Sequence, residues 1–406
     1  MHKGGRAFYI YLAGQGITNF GEAIRLIAIT TLIFKLTGSG IAAALGIALS
    51  AIPSIIASSF AGALGDQTDE ILLLVVIDFI RFLTVPLFLF AEHVLQAYLL
   101  LVLLSFLDVF YGPSKRKLLL EMTGRKGALK ANRLLSGVSG AAYIIGPMTA
   151  GVVTDQYGFA PAILIAGICC LISCLLTFAA GIAWTKGERF ADRLYKSKKI
   201  IRVIPGFHFW SGMRYSLSSE NVRELLVIGA MMGFCTISVN LAFYPYAFDV
   251  LKVTAKGWSL MITVYYGTNF IAMLLVKYLE GFLRKIQNRL FYTGLMLVAI
   301  VWMFYAFVLD YEKVLVMQFI EGTIISICGI FLAARLQVVT DKQFIARASG
   351  AGDIFSNMGK LAGMSCTFLL VKSFSFGAVF IFNSVLFFFF AFCSLIMKKS
   401  GWDAWP

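Results

Sequence analysis

Long apolar runs separated by short polar segments fill the chain almost from end to end. Runs such as 71–91 and 378–397 stay apolar over roughly the 20 residues that an α-helix needs to cross a bilayer. Polar residues do not interrupt these runs at the helical spacing that marks the solvent face of a soluble helix. The pattern therefore predicts α-helices that are surrounded by lipid rather than by water.

Twelve such spans are predicted, six in each half of the sequence. Spans 1 to 6 are expected at 8–34, 40–64, 71–91, 94–113, 134–154 and 159–184. Spans 7 to 12 are expected at 224–248, 257–279, 289–309, 313–335, 349–371 and 376–397. An even number of spans places both termini on the same side of the membrane.

The two halves repeat each other in plan. We predict a six-helix bundle at 1–184, a basic cytoplasmic linker at 185–223 and a second six-helix bundle at 224–406. The basic loop after span 4 recurs after span 10, between Arg335 and Arg347. Such repetition is typical of transporters in which two bundles, related by an axis along the membrane normal, hold a site near the midplane. The predicted fold class is an all-α membrane protein of two pseudo-symmetric six-helix bundles.

Composition and charge agree with a membrane protein and orient it. Apolar residues make up 59% of the 406 positions and charged residues 14%, whereas soluble domains average about 45–50% and about 25%. Of the 35 Lys and Arg residues, twenty-seven lie on the side of the termini, five in the opposite loops and three within spans. Because positive residues accumulate in cytoplasmic loops, we expect both termini in the cytoplasm of a cell-membrane protein.

The formal charge of +14 then reflects topology and attraction to anionic membrane lipids, and we expect no nucleic-acid partner. An aromatic and basic section of the linker, 207–215, either lies along the inner membrane surface or is an ordinary solvated connection.

The sequence lacks the motifs of several other classes of protein. No GxxxxGK[ST] pattern for ATP binding is present, so a proton gradient is the simplest energy source and no cofactor is expected. His2, His93 and His208 lie outside the spans, and neither HExxH nor GxSxG occurs, which argues against an enzyme. The seven cysteines lie in apolar spans without a CxxC pair, which indicates reduced packing residues and no metal site. We expect the protein to act as a monomer.

The end of span 2 carries a family-like motif. The segment from Gly62 to Glu70, GALGDQTDE, resembles the G-x-L-A-D-R-x-x-R signature of the major facilitator superfamily. Gln67 and Glu70 stand at or near the basic positions of that signature. The resemblance therefore implies a capping or latching role for Asp66 without the usual charge relay between helices.

Span 5 carries a second motif. From Ala142 to Gly151 it reads AYIIGPMTAG, similar to the G-x-x-x-G-P-x-x-G-G pattern of antiporters in that superfamily. Small residues such as Gly146 and Gly151 let two backbones approach, and Pro147 permits a bend where the two halves meet. The simpler interpretation is a generic tight helix crossing.

Three shorter stretches resemble the macrolide-efflux branch of the superfamily. They are LTGSG at 36–40, DFIR at 78–81, and YGPS at 111–114 with Ala131-Asn132 beyond. The resemblance covers most of the first half of the chain, whereas the second half shares the helix count and the loop from Leu336 to Arg347. It implies the major facilitator fold and a drug:proton antiporter of the multidrug-resistance type.

Leaving aside the three residues at each end of a span, eight charged residues lie within the predicted spans, where each charge is costly and normally faces a cavity or a partner. Glu22 and Arg25 share one face of span 1 and are expected to pair with each other or with charges on other helices. We predict that Glu22 couples transport to protons, because a carboxyl group in a low-dielectric cavity can hold a proton near neutral pH. An acid near this place is also common in the resembled family. The alternative is that Glu22 merely neutralises Arg25.

Three further charges are assigned to an inner gate. Asp78 and Arg81 repeat the i, i+3 spacing in the inner half of span 3, where the resembled family usually has an acid and an arginine. Asp108, near the cytoplasmic end of span 4, is expected to join Arg81 or the basic loop. We predict that these residues hold spans 2 to 4 together.

The second half contains the remaining candidates for a substrate cavity. Glu321 is the alternative proton carrier, and Asp353 and Lys360, seven residues apart on one face of span 11, are expected to pair across helices. Hydrogen bonds are expected either in the cavity or between helices from Asn19, Asn240 and Asn269. Tyr244 belongs to an aromatic set that suits an apolar or cationic ligand.

The leading hypothesis from the sequence is a secondary exporter. It moves a small amphipathic compound, such as a drug, macrolide, siderophore or other secondary metabolite, outward by alternating access as protons flow inward. The alternative is a flippase for lipid or lysolipid, or a facilitated transporter, on the same fold.

Overall fold

The computed structural model describes residues 4–65, 69–185, 216–278, 280–340 and 345–396, and no strand occurs in these ranges. The helices of the first half are α1 (Gly4–Thr37), α2 (Gly40–Gly65), α3 (Glu70–Thr84), α4 (Val94–Tyr157) and α5 (Phe159–Thr185). Those of the second half are α6 (Glu220–Pro245), α7 (Ala255–Tyr278), α8 (Glu280–Tyr305), α9 (Tyr311–Val339), α10 (Ile345–Ser373) and α11 (Phe376–Ile396). A 3₁₀ turn, Val85–Phe90, extends α3, and a π turn, Tyr246–Val250, extends α6.

These helices reproduce the spans that hydrophobicity predicts. Among the described residues, ten segments are long and apolar enough to cross a membrane, and two shorter apolar helices cover Gly40–Pro53 and Leu290–Tyr305. Together they correspond to the twelve predicted spans. Span 4 ends at Gly124 rather than at 113, and span 2 continues to Gly65 within α2. The prediction of an all-α membrane fold is confirmed.

The helix α4 supplies two spans, Val94–Gly124 and Leu134–Tyr157. The sequence predicted a basic loop between them, but this stretch is helical because Lys, Arg, Leu and Ala are good helix formers. Within α4 the backbone leaves helical geometry at Gly124, where φ is 66° and ψ is 169°. The helix continues through Pro147, where the sequence predicts a bend.

The chain divides into two compact units, Met1–Ile204 with Val253–Thr263, and Pro205–Lys252 with Val264–Pro406. In the first unit α1 packs against α4 and α5, and α3 packs against the same two helices. Their shared core includes buried residues of all four helices, among them Tyr11, Leu74, Leu118 and Ala180. This packing brings the polar residues of α1, α3 and α4 towards one another.

In the second unit α6 packs along α10, and α8 packs along α11. The α6–α10 contact depends on glycine, because an added Cβ at Gly359 would lie 2.0 Å from the Ala230 carbonyl oxygen. A Cβ at Gly363 would lie 2.3 Å from the Phe234 carbonyl oxygen. The two backbones therefore approach as closely as small-residue crossings in membranes allow.

Candidate functional site

Five of the predicted residues meet in one place, which we call the charge cluster: Glu22, Arg25, Asp78, Arg81 and Asp108. The sequence divided them between a coupling site and a gate, whereas the structure joins them. Arg81 lies at the centre and is 1% exposed. Its guanidinium reaches carboxylates from α1, α3 and α4, so the cluster ties these three helices together.

The contacts of Arg81 differ in length. Its Nη1 lies 3.1 Å from Asp78 Oδ1 and 3.6 Å from Glu22 Oε1, and its Nη2 contacts Asp108. Arg25 Nη2 lies 3.6 Å from the other oxygen of Asp108. Among the described residues, Glu22 therefore pairs with Arg81, and Arg25 pairs with Asp108. The contact predicted between Asp108 and Arg81 is present.

Neutral side chains fix the inner part of the charge cluster. Ser173 Oγ donates a hydrogen bond of 2.7 Å to Asp78, and Tyr111 OH donates one of 3.4 Å to the same oxygen. The Arg81 guanidinium carbon lies 4.2 Å from the centre of the Tyr111 ring, an attractive cation–π geometry. Gln15 Nε2 donates to the Tyr111 hydroxyl at 2.8 Å. Asp78 and Arg81 are thus held on several sides.

Glu22 is more exposed than Asp78 and less exposed than Asp108. Its side chain is 23% exposed, and its second carboxylate oxygen accepts a hydrogen bond of 3.1 Å from Tyr143 OH of α4. Lys115 of α4 also lies close enough to act on Glu22, Asp78 and Arg81 electrostatically. Asp108 contacts both arginines. Glu22 therefore joins α1 to both α3 and α4.

Glu321, the other candidate proton carrier, lies in a different environment. It is 3% exposed and accepts hydrogen bonds of 2.7 Å each from Trp302 Nε1 and Tyr305 OH. Trp302 stacks on Phe387 with ring centres 5.0 Å apart, and Tyr305 packs edge-on against Phe243 at 4.8 Å. Glu321 thus joins α9 to α8 inside an aromatic core.

The second unit also contains a cavity of about 830 Å³, between α6, α7, α9 and α10. Four of the predicted residues line it: Asn240, Asn269, Asp353 and Lys360. Leucine, isoleucine and methionine side chains complete much of its wall. Its volume and mixed lining are those of a small-molecule site.

Other predicted residues lie elsewhere. Asn19 is buried and donates a hydrogen bond of 2.7 Å to Ser139 Oγ, which joins α1 to α4. Tyr244 is buried in α6. Asp66 falls outside the described residues, as does most of the predicted linker. Of the span-2 motif, Asp69 caps α3 by accepting a 3.0 Å bond from Leu72 N, and Glu70 pairs with Lys117 of α4.

The small residues of the span-5 motif make tight helix contacts within the first unit. A Cβ added at Gly146 would lie 2.7 Å from Ala23 Cβ and 3.1 Å from the Phe20 carbonyl oxygen. A Cβ added at Gly151 would overlap Ser259. Gly146 therefore allows α4 to approach α1, on the same helices that carry Glu22 and Tyr143.

Sequence reasoning missed the neutral partners of these charges. Tyr143 stood inside the span-5 motif, but only the small residues and proline of that motif received a role. Tyr111 stood in the YGPS stretch at 111–114, but it received no role of its own. The sequence assigned no role to Gln15 or Ser173, because hydroxyl and amide groups in spans commonly bond to the local backbone. Gln15 gave one usable signal, since an amide in the middle of an apolar span needs a buried partner.

The sequence of the chain is similar to a known family of transporters. Residues 11–364 match the sequence profile of the Major Facilitator Superfamily. The chain is 21% identical over 295 residues to YfmI of Bacillus subtilis (strain 168), named as an uncharacterized MFS-type transporter, with 70% of each chain covered.

Two solved transporters share the fold. The crystal structure of the nucleoside transporter NupG superposes with a TM-score of 0.71 at 12% identity, covering 97% of this chain and 100% of that one. A bacterial homologue of the iron transporter ferroportin, in its inward-facing state, gives a TM-score of 0.70 at 14% identity, with 97% and 99% covered. At these identities the similarity establishes the fold alone.

Proposed function

The chain belongs to the Major Facilitator Superfamily, and from this premise we propose that it exports a small amphipathic compound in exchange for protons. It is a secondary transporter of the MFS type, so the proposal concerns its coupling ion, its direction and its substrate. Proton coupling is supported above all by Glu22, a partly exposed carboxyl group 3.6 Å from the buried guanidinium of Arg81.

The charge cluster suggests how a proton acts on the helices. When Glu22 is ionised, its carboxylate attracts Arg81 and links α1 to α3. Protonation removes this attraction, while Arg81 keeps Asp78 and Asp108 and Tyr143 still holds Glu22. Ionised Glu22 thus favours an arrangement in which α1 is linked to α3, and protonated Glu22 allows a second arrangement in which the two helices separate. In both arrangements Arg81 keeps an acidic partner. Alternating access then requires substrate and proton to favour opposite arrangements.

Outward transport is supported by the sequence motifs rather than by the geometry of the charges. The AYIIGPMTAG segment of α4 resembles the antiporter pattern, and three stretches of the first half resemble the macrolide-efflux branch. The excess of Lys and Arg on the side of the termini supports a cell-membrane location with both termini in the cytoplasm. The apolar wall of the cavity supports an amphipathic substrate.

Transport into vesicles tests the proposal. Inside-out vesicles with an acidic lumen, which corresponds to the outside of the cell, are offered labelled macrolides, dyes, siderophores and lysolipids. The proposal predicts that at least one compound accumulates in the lumen, that its entry raises the lumenal pH, and that nigericin with K⁺ abolishes accumulation. Accumulation in buffer alone, unchanged by the gradient, contradicts proton coupling and favours facilitated transport or lipid flipping.

A further inference from the structure

The cavity of the second unit carries two opposite charges that lack an ionic partner among the described residues. Asp353 and Lys360 both line its wall from α10. Lys360 Nζ makes a single hydrogen bond within the described part of the chain, of 3.4 Å to Asn357 Oδ1. Charged side chains in membrane spans are usually paired, and those that face a cavity mark the path of a substrate or ion. The two charges are therefore available to a ligand.

Their spacing prevents them from neutralising each other directly. Seven residues are two turns of helix, so Asp353 and Lys360 share one face of α10 about 10 Å apart along its axis. Direct pairing along a helix occurs between neighbours at i, i+3 and i, i+4. The wall of the cavity thus presents a negative and a positive group at two separate levels.

Packing against α6 fixes these two levels. Gly352, beside Asp353, lies against Leu226 and Leu336, and Gly359, beside Lys360, lies against Ala230. Asp353 is therefore at the leucine-lined end of the cavity, and Lys360 is more than a helical turn further along.

Neutral polar groups lie beyond the level of Lys360 along α6. Ser326 Oγ donates a hydrogen bond of 2.8 Å to Asn269 Oδ1, and the cavity wall also contains Asn240 and Tyr265. All four residues line the cavity. Amide and hydroxyl groups of this kind can support an anionic or strongly polar group that an ammonium attracts.

We propose that this cavity binds a zwitterionic molecule, with its anionic group at Lys360, its cationic group at Asp353 and its apolar body against the leucines. The inference rests on the proposed export function and specifies its substrate class. A zwitterion satisfies both wall charges at once, whereas a singly charged ligand leaves one charge without a partner. A soluble zwitterion and the headgroup of a zwitterionic lysolipid share this chemistry.

Equilibrium binding to the purified full-length protein in nonionic detergent tests the inference. The probes are 8-aminooctanoic acid, octanoic acid and octylamine, which share a chain length and differ in charge, and a lysophosphatidylcholine. We expect the amino acid to bind at least tenfold more tightly than either singly charged probe. Equal affinities for the three short probes overturn the inference. Tighter binding of the lysolipid identifies a lipid headgroup as the source, and weaker binding identifies a soluble zwitterion.

Substitutions separate specific recognition from general affinity for amphiphiles. Lys360→Gln is expected to reduce the affinity for 8-aminooctanoic acid at least tenfold, to the affinity that the wild type has for octylamine. Asp353→Asn is expected to reduce it to the affinity that the wild type has for octanoic acid. The control Lys372→Gln removes an exposed lysine from the last turn of the same helix and leaves the affinity unchanged. The double change Asp353→Lys with Lys360→Asp restores binding, which a merely structural role does not predict.

The same assay keeps this inference distinct from the proposed coupling. Binding in detergent involves no proton gradient, so the affinities of the three short probes test the site whether or not protons drive transport. If Lys360→Gln keeps full affinity for 8-aminooctanoic acid, the zwitterion site is overturned, but the proposed proton-coupled export is not affected.

Discussion

At the scale of single residues, Arg81 is the side chain on which the first unit depends most. It is buried, yet it contacts carboxylates of three helices and the ring of Tyr111. A buried charge of this kind is tolerated only while its partners remain, and the partners are equally costly without it. Arg81 therefore holds α1, α3 and α4 together.

Replacement of Arg81 tests this dependence. Arg81→Gln is expected to lower the free energy of unfolding by about 3–5 kcal/mol, because Asp78 is left buried without its cation. Arg25→Gln is the matched control, since Arg25 has a single 3.6 Å contact with the more exposed Asp108, and it is expected to cost less. Denaturant unfolding in detergent measures both, and equal losses contradict the central role of Arg81.

The sequence located these charges but not all of their partners. An acid or arginine inside an apolar span is conspicuous, so all eight candidates were found from residue type alone. The i, i+3 spacing suggested a pair between Glu22 and Arg25, although that spacing records only a shared helix face. Partners on other helices depend on how α1, α3 and α4 rotate against one another, and a single sequence does not encode this rotation in any local pattern.

At the scale of helices, close glycine contacts determine which pairs pack backbone to backbone. Gly359→Ala is expected to lower the free energy of unfolding by about 1–3 kcal/mol, because its Cβ would meet the Ala230 carbonyl and force α6 and α10 apart. Gly267→Ala in α7 is the control, since no atom lies within 4 Å of the added Cβ, and its helix propensity rises. Thermal unfolding of the two variants measures the difference, and equal behaviour contradicts the packing account.

The start of α9 supplies a pH-dependent contact. Asp310 caps this helix, and hydrogen bonds from the Lys313 side chain and from the backbone N–H groups of Lys313 and Glu312 lower the pKa of its carboxyl group. Because the folded pKa lies below the unfolded one, the stabilisation is present above the unfolded value, about 3.9, and is lost as the pH falls through the folded value.

This cap is tested by comparing melting temperatures at several pH values. Asp310→Ala is expected to melt at a lower temperature than the wild type at pH 7, and the difference is expected to shrink below the ordinary pKa of aspartate. Asp310→Asn, which caps without charge, should lie between the two at pH 7. A difference for Asp310→Ala that stays constant across this range contradicts the ionic part of the cap.

Hydrophobic length was sufficient to predict the helices, because a span must cover the bilayer and must satisfy its own backbone. The connection between spans 4 and 5 was not predictable in the same way. Its basic residues lie outside the apolar runs and suggested a loop, whereas they form part of α4 with a break at Gly124. Polarity reports which residues leave the membrane, and it does not report whether the helix continues beyond it.

At the scale of the whole molecule, charge asymmetry predicts the orientation of the protein. With both termini in the cytoplasm, a fluorescent protein fused to the C-terminus is expected to fluoresce, and alkaline phosphatase fused at the same point is expected to be inactive. The reverse pair of results contradicts the orientation and, with it, the outward direction of the proposed export.

The central claim, that Glu22 couples transport to protons, is tested most directly by measuring proton flux. Proteoliposomes with an acidic lumen are loaded with a pH-sensitive dye and contain the wild-type protein. Their lumenal pH should rise when a transported compound enters in exchange for protons that leave. Glu22→Gln should abolish this pH change while exchange of labelled for unlabelled compound continues, and the control Glu321→Gln should keep it. An unchanged proton flux in Glu22→Gln contradicts the account.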